Sequence, residues 1–358
     1  MLHGGVDRSG EERVIPVFLW LLERLARSHE IHVFAFNQEP APASWTLHGC
    51  RVHNCGSEAG WRRRLLAMFA VEHRESPFRI VNGFFSWGGL WGAILAWRHR
   101  VPFLFHATGG EFVALDDCAY GMQRDIRGRL EVRIATRRAR VVTVATEYMQ
   151  HLATSRGVSA RRVPLGVAID EWTLSPPRAR DVSQPFRLVH VADLRPVKDQ
   201  AMLLAAFKIL SEQGVACELD IAGHDLMNGA LQQLVQSNAS IRWHGRLGRT
   251  ELRALMERAD MLVVTSRHEA EPLVVLEAAI AGLPTIGTPV GHVADWSPDA
   301  SVAVPFGNAR ALASAIHDLM HDDPRRMRLA GEAQKRAVAM DADVSAAAFD
   351  RLYREIAL

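Results

Sequence analysis

The chain has 358 residues, which is long for a single hydrophobic core and suits two domains of ordinary size. Its 42 basic and 40 acidic residues give a formal net charge of +2, so the overall charge does not favour nucleic acid as a partner. The four cysteines form no CxxC pair, and no histidine lies near them at zinc-ligand spacing, so the sequence predicts a reducing, cytoplasmic setting and no metal site.

The chain opens with a glycine-containing loop, "HGGVDRSGEERV". Only three residues precede Gly4, which leaves no room for a signal peptide, and the longest apolar runs are shorter than a membrane span, so we expect a soluble protein. Gly4, Gly5 and Gly10 allow the backbone to approach a ligand closely before a helix that we expect from about Glu12 to Ser28. No segment has the G-x-G-x-x-G pattern of a dinucleotide site, which argues against a nicotinamide-dependent oxidoreductase.

Apolar β-type runs alternate with helical segments through most of the chain. This alternation is typical of parallel sheets covered by helices on both faces, so we expect an α/β fold. The expected strands are "EIHVFAF", "RIVNGF", "VPFLFHA", "ARVVTVAT", "FRLVHVA", "CELDIAG", "ADMLVVTS" and "LPTIGT".

One strand of the first half, in "FLFHATGGEF", carries polar side chains near its end. His106 and Thr108 alternate onto one face of the strand, and Glu111 follows the Gly-Gly turn. At the carboxyl end of a parallel strand such side chains face a ligand crevice. A core or edge position is the alternative for His106, and the residues alone leave both interpretations open.

Two basic stretches also lie in the first half, "WRRRLL" at 61–66 and the arginines of 124–140. Solvated helix faces explain both. A peripheral contact with anionic lipid or with an anionic acceptor is the alternative, so membrane association stays open beside a cytoplasmic location.

The segment 173–185, "TLSPPRARDVSQP", interrupts the alternation with three prolines and no periodicity, as an interdomain linker does. The expected organisation is an N-terminal domain over 1–172, a C-terminal domain over 186–342 and a C-terminal helix over 343–358. The helical spacing of that last segment allows it to pack back on the first domain.

Two cations lie where a strand of the second half meets a helix, in "VADLRPVKDQ". The strand is expected near Arg187–Ala192 and the helix over Gln200–Gln213, so Arg195 and Lys198 come to the carboxyl edge of the sheet. Cations at this edge neutralise a diphosphate, whereas the helix dipole opposes a lysine at a helix start. A solvated surface is the alternative.

Two glutamates with seven residues between them, Glu269 and Glu277, flank a helix start in "SRHEAEPLVVLEAAIAGLPTIGTPVG". Pro272 suits the first helical turn, and Gly282 ends the helix. A phosphate bound by the backbone N–H groups of Ala270–Val274 would let both carboxylates accept hydrogen bonds from polyol hydroxyls. A sugar nucleotide has both parts. The alternative is a pair of acids that only the helix dipole favours.

The segment from Ser266 to Gly291 resembles the nucleotide-sugar site of the family 4 glycosyltransferases, retaining enzymes of the GT-B fold whose signature is a glutamate, seven residues and a second glutamate. The likeness extends over most of the chain, through "VPFLFHATGGE", "RRVPLGVAIDEW", "VADLRPVKDQAMLLAAF" and "IRWHGRLGRTELRALMERADMLVVTSRHE". It implies two Rossmann-like domains with parallel sheets facing across a cleft, an acceptor-side N-terminal domain and a donor-binding C-terminal domain. It also implies transfer of a sugar from a nucleoside diphosphate to a saccharide, lipid-linked or small-molecule hydroxyl acceptor, without a metal or another cofactor.

The resemblance assigns roles to individual positions. Glu277 would hold the ribose hydroxyls, Glu269 would contact the hydroxyls of the transferred sugar, and Lys198 would bind the diphosphate. The implied catalytic group is Glu269, Lys198 and His106; the further donor contacts are Gly5, Arg195, Leu273 and Val274; the acceptor side is His106, Thr108 and Glu111.

Three features depart from the family pattern. Asp193 stands where relatives usually carry an arginine, so Arg195 is the candidate for the second cation. Thr108 stands where relatives usually carry a histidine, with His106 two positions upstream. The family ordinarily opens with an apolar strand before the glycine loop, so the first sheet of this chain is expected to lack that strand.

Two other functions remain open. A catalytically degenerate member would bind a sugar nucleotide without turnover, as Asp193 and the shortened first sheet suggest. A sugar-nucleotide epimerase of the same fold would convert the donor alone.

Overall fold

The computed structural model describes residues 1, 4–227, 229, 235 and 238–357. The chain divides into two compact units. Unit 1 comprises Met1–Ala168 and Met340–Leu358, and unit 2 comprises Ile169–Ala339. Each unit has its own buried apolar core, as a domain of this size requires.

Unit 1 contains two β-sheets with helices packed on them. Its strands are β1 (His32–Ala35), β2 (Ala43–Leu47), β3 (Cys50–Asn54), β4 (Val81–Phe84), β5 (Phe103–Ala107), β6 (Val141–Val144) and β7 (Arg161–Arg162). Its helices are α1 (Pro16–Ala26), α2 (Trp61–Glu75), α3 (Phe85–His99), α4 (Ile126–Arg138), α5 (Glu147–Ser155) and α12 (Ala342–Ile356). One sheet has the order β1-β3-β2 and the other the order β4-β5-β6-β7.

Unit 2 contains one six-stranded sheet, all of whose pairs are parallel. Its strands are β8 (Phe186–Val191), β9 (Cys217–Ala222), β10 (Ile241–Trp243), β11 (Met261–Val264), β12 (Thr285–Gly287) and β13 (Val302–Ala303). Its helices include α6 (Gln200–Glu212), α7 (Arg249–Arg258), α8 (Leu273–Ile280), α9 (Gly291–Trp296), α10 (Ala309–Met320) and α11 (Asp323–Val338). The strand order is β10-β9-β8-β11-β12-β13, so β8 and β11 are neighbours at the centre of the sheet.

The expected α/β fold is confirmed, and each of the eight strands expected from the sequence is present as β1, β4, β5, β6, β8, β9, β11 or β12. Strand β11, for example, is buried at every position. Strands buried on both faces need apolar residues at successive positions, which is why they are recognisable as continuous apolar runs.

The antiparallel pair β2–β3 was not expected from the alternating pattern. His48 and Gly49 connect the two strands with φ angles of 47° and 76°. Two consecutive residues with positive φ match the twist of a two-residue hairpin turn, and glycine adopts that conformation without steric cost.

Helix α1 begins at Pro16, four residues later than the expected start at Glu12. The preceding residues form turns around Asp7, whose carboxylate accepts a hydrogen bond from Ser9 N at 3.1 Å and pairs with Arg13 at 2.7 Å. Proline at the first helical position lacks only a backbone donor that would have no partner there, so Pro16 is a favourable start.

The proline-rich segment 173–185 contains no helix or strand. It is nevertheless held in place, because Ser175 donates its N–H to Ile280 O at 3.0 Å and accepts a hydrogen bond from Gln334 Nε2 at 2.7 Å. The segment therefore follows the surface of unit 2.

The C-terminal helix α12 belongs to unit 1. Phe349 is fully buried in the core of that unit, and Asp343 pairs with Arg24 of α1 at 3.1 Å. Ser345 Oγ also accepts a hydrogen bond from the backbone N–H of Gly166 at 2.8 Å.

Within the part of the chain that the structure describes, no helix is both long enough and apolar enough to cross a membrane.

Candidate functional site

The loop after β8 places a lysine at the carboxyl edge of the sheet of unit 2. Pro196–Lys198 form one 3₁₀ turn, and Asp199 then caps α6 by accepting a hydrogen bond from Met202 N at 3.2 Å. Thr265, at the end of β11, donates its hydroxyl to Lys198 O at 2.9 Å. Because β8 and β11 are neighbouring parallel strands, this bond joins the two loops at the same edge.

Lys198 and Glu269 form an ion pair at this edge. Lys198 Nζ lies 2.5 Å from Glu269 Oε1, and Ser266 Oγ donates to the same oxygen at 2.6 Å. The two charged side chains are only 23% and 16% exposed. Burial opposes ionisation of Glu269, but the charge and hydrogen bond of Lys198 and the bond from Ser266 hold its pKa below the usual value. Glu269 is therefore a carboxylate at neutral pH.

Helix α8 begins beside this ion pair with free backbone donors. Pro272 precedes the helix, and no side chain in the described part of the protein caps it. Val275 N bonds to Pro272 O at 2.9 Å, which leaves the N–H groups of Leu273 and Val274 available to an anion. A pocket of about 200 Å³ is bounded by both of these residues and by Lys198, Ser266 and Glu269.

Glu277 lies one turn further along α8 and does not line this pocket. Its side chain is buried, with 8% of the residue exposed, and among the described residues it has no side-chain hydrogen bond or ion pair. Burial raises the pKa of Glu277 to about 7, although the charge of Arg249 opposes this shift. Glu277 is therefore a buried acid whose ionisation is opposed by burial near neutral pH.

A buried polar pair beside the pocket, His190 and Gln200, was not predicted from the sequence. His190, within β8, lies 2.9 Å from Val263 O through Nδ1 and 3.3 Å from Gln200 Nε2 through Nε2. Burial lowers the pKa of His190 to about 4, so the ring is neutral. A histidine between two valines of the strand, near its carboxyl end, was the available signal. His190 lines the pocket, so it contributes a neutral polar surface there.

Arg195 and Asp193 occupy the same loop but not the pocket. Arg195 is exposed, whereas Asp193 Oδ1 accepts a hydrogen bond from His224 N at 3.1 Å. Asp193 therefore joins the loop after β8 to the loop after β9, which gives a structural reason for an acid at this position.

The glycine loop of unit 1 is closed by a glutamine side chain. Gln38 Oε1 accepts hydrogen bonds from Gly5 N at 2.7 Å and from Val6 N at 2.9 Å. Two backbone donors that would suit an anion are therefore already satisfied, and a ligand at Gly5 would have to displace Gln38.

Gly5 has a second constraint that gives a testable prediction. Its φ is +88°, and a Cβ atom at this position would lie 2.7 Å from Ile15 Cγ1. Gly5→Ala is expected to lower the free energy of unfolding by about 2 to 4 kcal/mol, since it adds an overpacked contact to the strained backbone. Gly157→Ala is the matched control, because Gly157 has φ +72° with no atom within 4 Å, and we expect a loss of about 1 kcal/mol. Thermal unfolding measures whether Gly5→Ala loses more stability than Gly157→Ala. Equal losses would contradict a steric clash between the added Cβ and Ile15.

His106, Thr108 and Glu111 lie in unit 1 at or after the end of β5. His106 is fully buried, its Nδ1 is 2.7 Å from Thr143 Oγ1, and burial lowers the pKa of its imidazole to about 3. Glu111 is 1% exposed and accepts a hydrogen bond from Gly109 N at 2.7 Å, while burial raises its pKa to about 6. Thr108 is partly exposed. The position of His106 favours the core interpretation over the catalytic one, because a fully buried ring has no surface to offer a ligand.

Comparison with protein families identifies both halves of the chain. Residues 14–167 match the family model described as "Glycosyl transferase 4-like domain", and residues 176–336 match "Glycosyl transferases group 1". Together the two models cover most of the chain, which therefore belongs to the family of glycosyltransferases that they describe. The resemblance that the sequence motifs indicated is therefore confirmed.

Among curated proteins, the chain is similar to a glycogen synthase of Mycobacterium tuberculosis, with 28% identity over 176 residues that cover 48% of the chain and 42% of that protein. It is also similar to the putative glycosyltransferase EpsF of Bacillus subtilis, with 32% identity over 125 residues that cover 34% of the chain and 32% of the relative. The aligned parts are less than half the length of these relatives.

Among solved structures, the chain is similar to sucrose-phosphate synthase from Thermosynechococcus elongatus, with a TM-score of 0.82 and 20% identity over 99% of the chain and 97% of that protein. It is also similar to Anabaena HepE in complex with UDP-glucose, with a TM-score of 0.76 and 17% identity over 99% and 98%. At these identities the likeness concerns the fold, and the expected GT-B fold is confirmed.

The structure thus brings Lys198, Glu269, Leu273 and Val274 together at one pocket of unit 2. Glu277 lies near it on the same helix, and Arg195 lies on the loop that carries Lys198. The roles that the family resemblance gives to these residues stay predictions.

Proposed function

We propose that the chain transfers a sugar from a nucleoside diphosphate donor to a hydroxyl acceptor. The observation that carries the proposal is the pocket in which Lys198 Nζ, the Glu269 carboxylate and the N–H groups at the start of α8 meet. A diphosphate needs a cation and amide donors, and a sugar needs a charged acceptor for its hydroxyls. The pocket supplies all three groups within one unit.

The bond between the sugar and the diphosphate would break with the leaving group held in this pocket. As the bond breaks, negative charge grows on the diphosphate oxygens and positive charge grows on the sugar ring. Lys198 and the N–H groups of Leu273 and Val274 would stabilise the first charge, and Glu269 would bind the sugar hydroxyls. These groups are positioned before the donor binds, so little reorganisation is needed.

We propose further that the anomeric configuration is retained and that no metal takes part, in line with the family resemblance. Supporting this, Lys198 and the start of α8 already provide positive charge for a leaving diphosphate. The acceptor hydroxyl would attack on the face that the diphosphate leaves, and its proton would pass to a diphosphate oxygen. One carbon–oxygen bond, from the sugar to the diphosphate, is broken and one, from the sugar to the acceptor, is formed. No covalent intermediate with the protein is needed.

The test begins with thermal-shift and calorimetric titration of purified protein with UDP, ADP and GDP and with their glucose derivatives. A ligand that binds the folded state raises its apparent stability, so a selective donor is expected to raise Tm. Donor turnover with a panel of hydroxyl acceptors, followed by NMR of the anomeric proton, then reports transfer and configuration. An inverted product would contradict retention, and turnover that survives removal of Lys198 would contradict the site.

A degenerate binding protein is the second candidate, and the Gln38 bonds to Gly5 and Val6 favour it specifically. In that case a nucleotide sugar binds in the pocket of unit 2, but the sugar is neither transferred nor released by hydrolysis. Conversion of the donor alone into an epimer would instead indicate an epimerase.

The raised pKa of Glu277 predicts that donor binding depends on pH. Ribose hydroxyls donate to the ionised carboxylate, so binding favours the charged form and lowers the pKa from about 7. UDP binding at pH 7 is therefore expected to release protons, and UDP affinity is expected to fall as the pH drops from 8 to 6. Calorimetry in two buffers with different ionisation enthalpies measures the release. Glu277→Gln isolates this effect from the titration of UDP itself, since the variant should release fewer protons.

A further inference from the structure

Three side chains from three separate elements of unit 1 converge beneath its first sheet: His32 of β1, His53 of β3 and Glu72 of α2. His32 Nδ1 lies 3.1 Å from His53 Nε2 and 3.4 Å from Glu72 Oε2. Each residue offers one ligand atom, and these atoms all lie within 4.8 Å of one another. This cluster, which we call the His-His-Glu cluster, is unrelated to the donor pocket of unit 2.

The other nitrogen of each ring already faces a polar partner. His32 Nε2 lies 3.4 Å from Glu30 Oε1, and His53 Nδ1 lies 3.4 Å from Ser44 Oγ. A neutral imidazole carries one N–H, and a neighbouring carboxylate or hydroxyl oxygen favours its placement on the nitrogen beside it. With both protons on the outer nitrogens, the two inner nitrogens present lone pairs to each other at 3.1 Å. A cation between them would bind both lone pairs, whereas without one a proton on either inner nitrogen makes an N–H···N hydrogen bond at this distance.

This pattern is the one that metal-binding histidines adopt. A ligating histidine donates its second N–H to a carboxylate or another polar group, which fixes the tautomer and the ring orientation. Zinc binds imidazole nitrogen at about 2.0–2.1 Å, so two nitrogens on a tetrahedral ion lie roughly 3.3 Å apart. The observed separation of the inner nitrogens is within a few tenths of an ångström of that value.

We propose that His32, His53 and Glu72 bind one zinc ion, with water as the fourth ligand. Two imidazole nitrogens and one carboxylate oxygen suit zinc and its first-row neighbours, whereas magnesium and calcium prefer oxygen ligands alone. The ion would join β1, β3 and α2, so its role is to stabilise unit 1.

The surroundings of the cluster hold the two rings in place and leave one side open. The side chains of His32 and His53 are only 2% and 6% exposed, and His53 stacks on Phe34 with ring centroids 4.9 Å apart. Glu72 is 20% exposed, so an ion has a route from solvent. The guanidinium of Arg51, which lies 3.9 Å from Glu72, would repel a zinc ion at the cluster. The carboxylate of Glu30, beside His32, would attract it.

Zinc titration of the full chain, first stripped of metal with a chelator, tests the proposal. Competition with a chromophoric chelator measures affinity and stoichiometry. We expect one zinc ion per chain, a higher Tm with zinc than without it, and loss of the site in His53→Gln. His151→Gln is the matched control, because His151 is an exposed histidine outside the cluster and its removal should leave binding unchanged.

Two further variants keep the test informative if His53→Gln fails to fold. Glu72→Gln alters a partly exposed side chain without changing its shape, and we expect zinc affinity to fall more than about 10-fold. Glu30→Gln removes the charge that faces the outer nitrogen of His32, Ser76 and Arg51 but leaves the three proposed ligands in place, and we expect a fall of about 10-fold. Cobalt(II) provides a second readout, since the visible absorption of a tetrahedral complex should appear in the parent protein and disappear in Glu72→Gln.

Absence of stoichiometric zinc binding by the folded parent chain would overturn the proposal. Equal zinc affinity in the parent, His53→Gln and Glu72→Gln would overturn it as well, because the ion would then bind elsewhere. UDP affinity is expected to be the same with and without zinc, so failure of this inference leaves the proposed donor site untouched.

Discussion

Lys198→Ala is expected to weaken UDP binding by about 10- to 100-fold. A charge-assisted hydrogen bond to a buried partner contributes about 1.5–3 kcal/mol, and each 1.4 kcal/mol corresponds to a tenfold change in affinity. The substitution also removes the ammonium group 2.5 Å from Glu269, while the hydrogen bond from Ser266 to that carboxylate stays. An uncompensated carboxylate beside the diphosphate adds repulsion. Isothermal titration calorimetry with UDP measures the loss.

Lys208→Ala is the matched control for this experiment. Lys208 is exposed on α6 and pairs with Glu212 one turn later at 3.8 Å, so its removal tests the loss of one positive charge from the same unit. We expect unchanged UDP affinity, since exposed ion pairs contribute little. If Lys198→Ala and Lys208→Ala bind UDP equally well, the diphosphate does not lie beside Lys198.

Glu277→Gln is expected to stabilise the protein at alkaline pH and to weaken the binding of ribose-containing ligands. Burial raises the pKa of Glu277 from 4.5 to about 7, so the folded state binds this proton more tightly than the unfolded state. Ionised Glu277 therefore destabilises the fold above pH 7, and this penalty disappears as the pH falls toward 4.5. The shift corresponds to about 3 kcal/mol, which sets the expected gain of the variant at pH 8.

Urea unfolding at pH 8 and at pH 4.5 measures this gain, which should be absent at the lower pH. The control is Glu257→Gln, because Glu257 is an exposed acid of α7 paired with Arg253, and its change should stay within about 0.5 kcal/mol. A variant that is less stable than the parent at pH 8 would show that Glu277 supports the fold. A stabilised variant with reduced UDP affinity would indicate an acid kept for binding at a cost in stability.

The fold of unit 2 was largely predictable because its strands are buried on both faces. Strand β8 and helix α6 each begin within one residue of the expected position. Both ends of α8 were also predictable, since Pro272 at its start and Gly282 after its end act through local backbone geometry. The hairpin at His48–Gly49 was missed because a short antiparallel pair has no signal in a strand-and-helix alternation.

The contacts of the site were less predictable than its location. Strand-end reasoning placed Lys198 and Glu269 at the same edge, but their direct ion pair depends on side-chain conformations that sequence spacing does not determine. The burial of Glu277 likewise depends on the packing of α8. Gln38 and Gly5 are 33 positions apart, so their hydrogen bond arises from tertiary structure alone. The His-His-Glu cluster was missed for the same reason.

The return of the chain to unit 1 through α12 has a consequence for biosynthesis. Ala346, Phe349, Leu352 and Ile356 complete an apolar core whose remaining members lie between residues 6 and 165, and Ala342 N donates a hydrogen bond to Val167 O at 3.0 Å. When residues 1–168 have been translated, the core of unit 1 is therefore incomplete. The face of α1 that packs on α12 stays exposed until unit 2 and α12 have been translated. Nascent chains halted before residue 340 should consequently be the species that chaperones retain and proteases cleave within the first half.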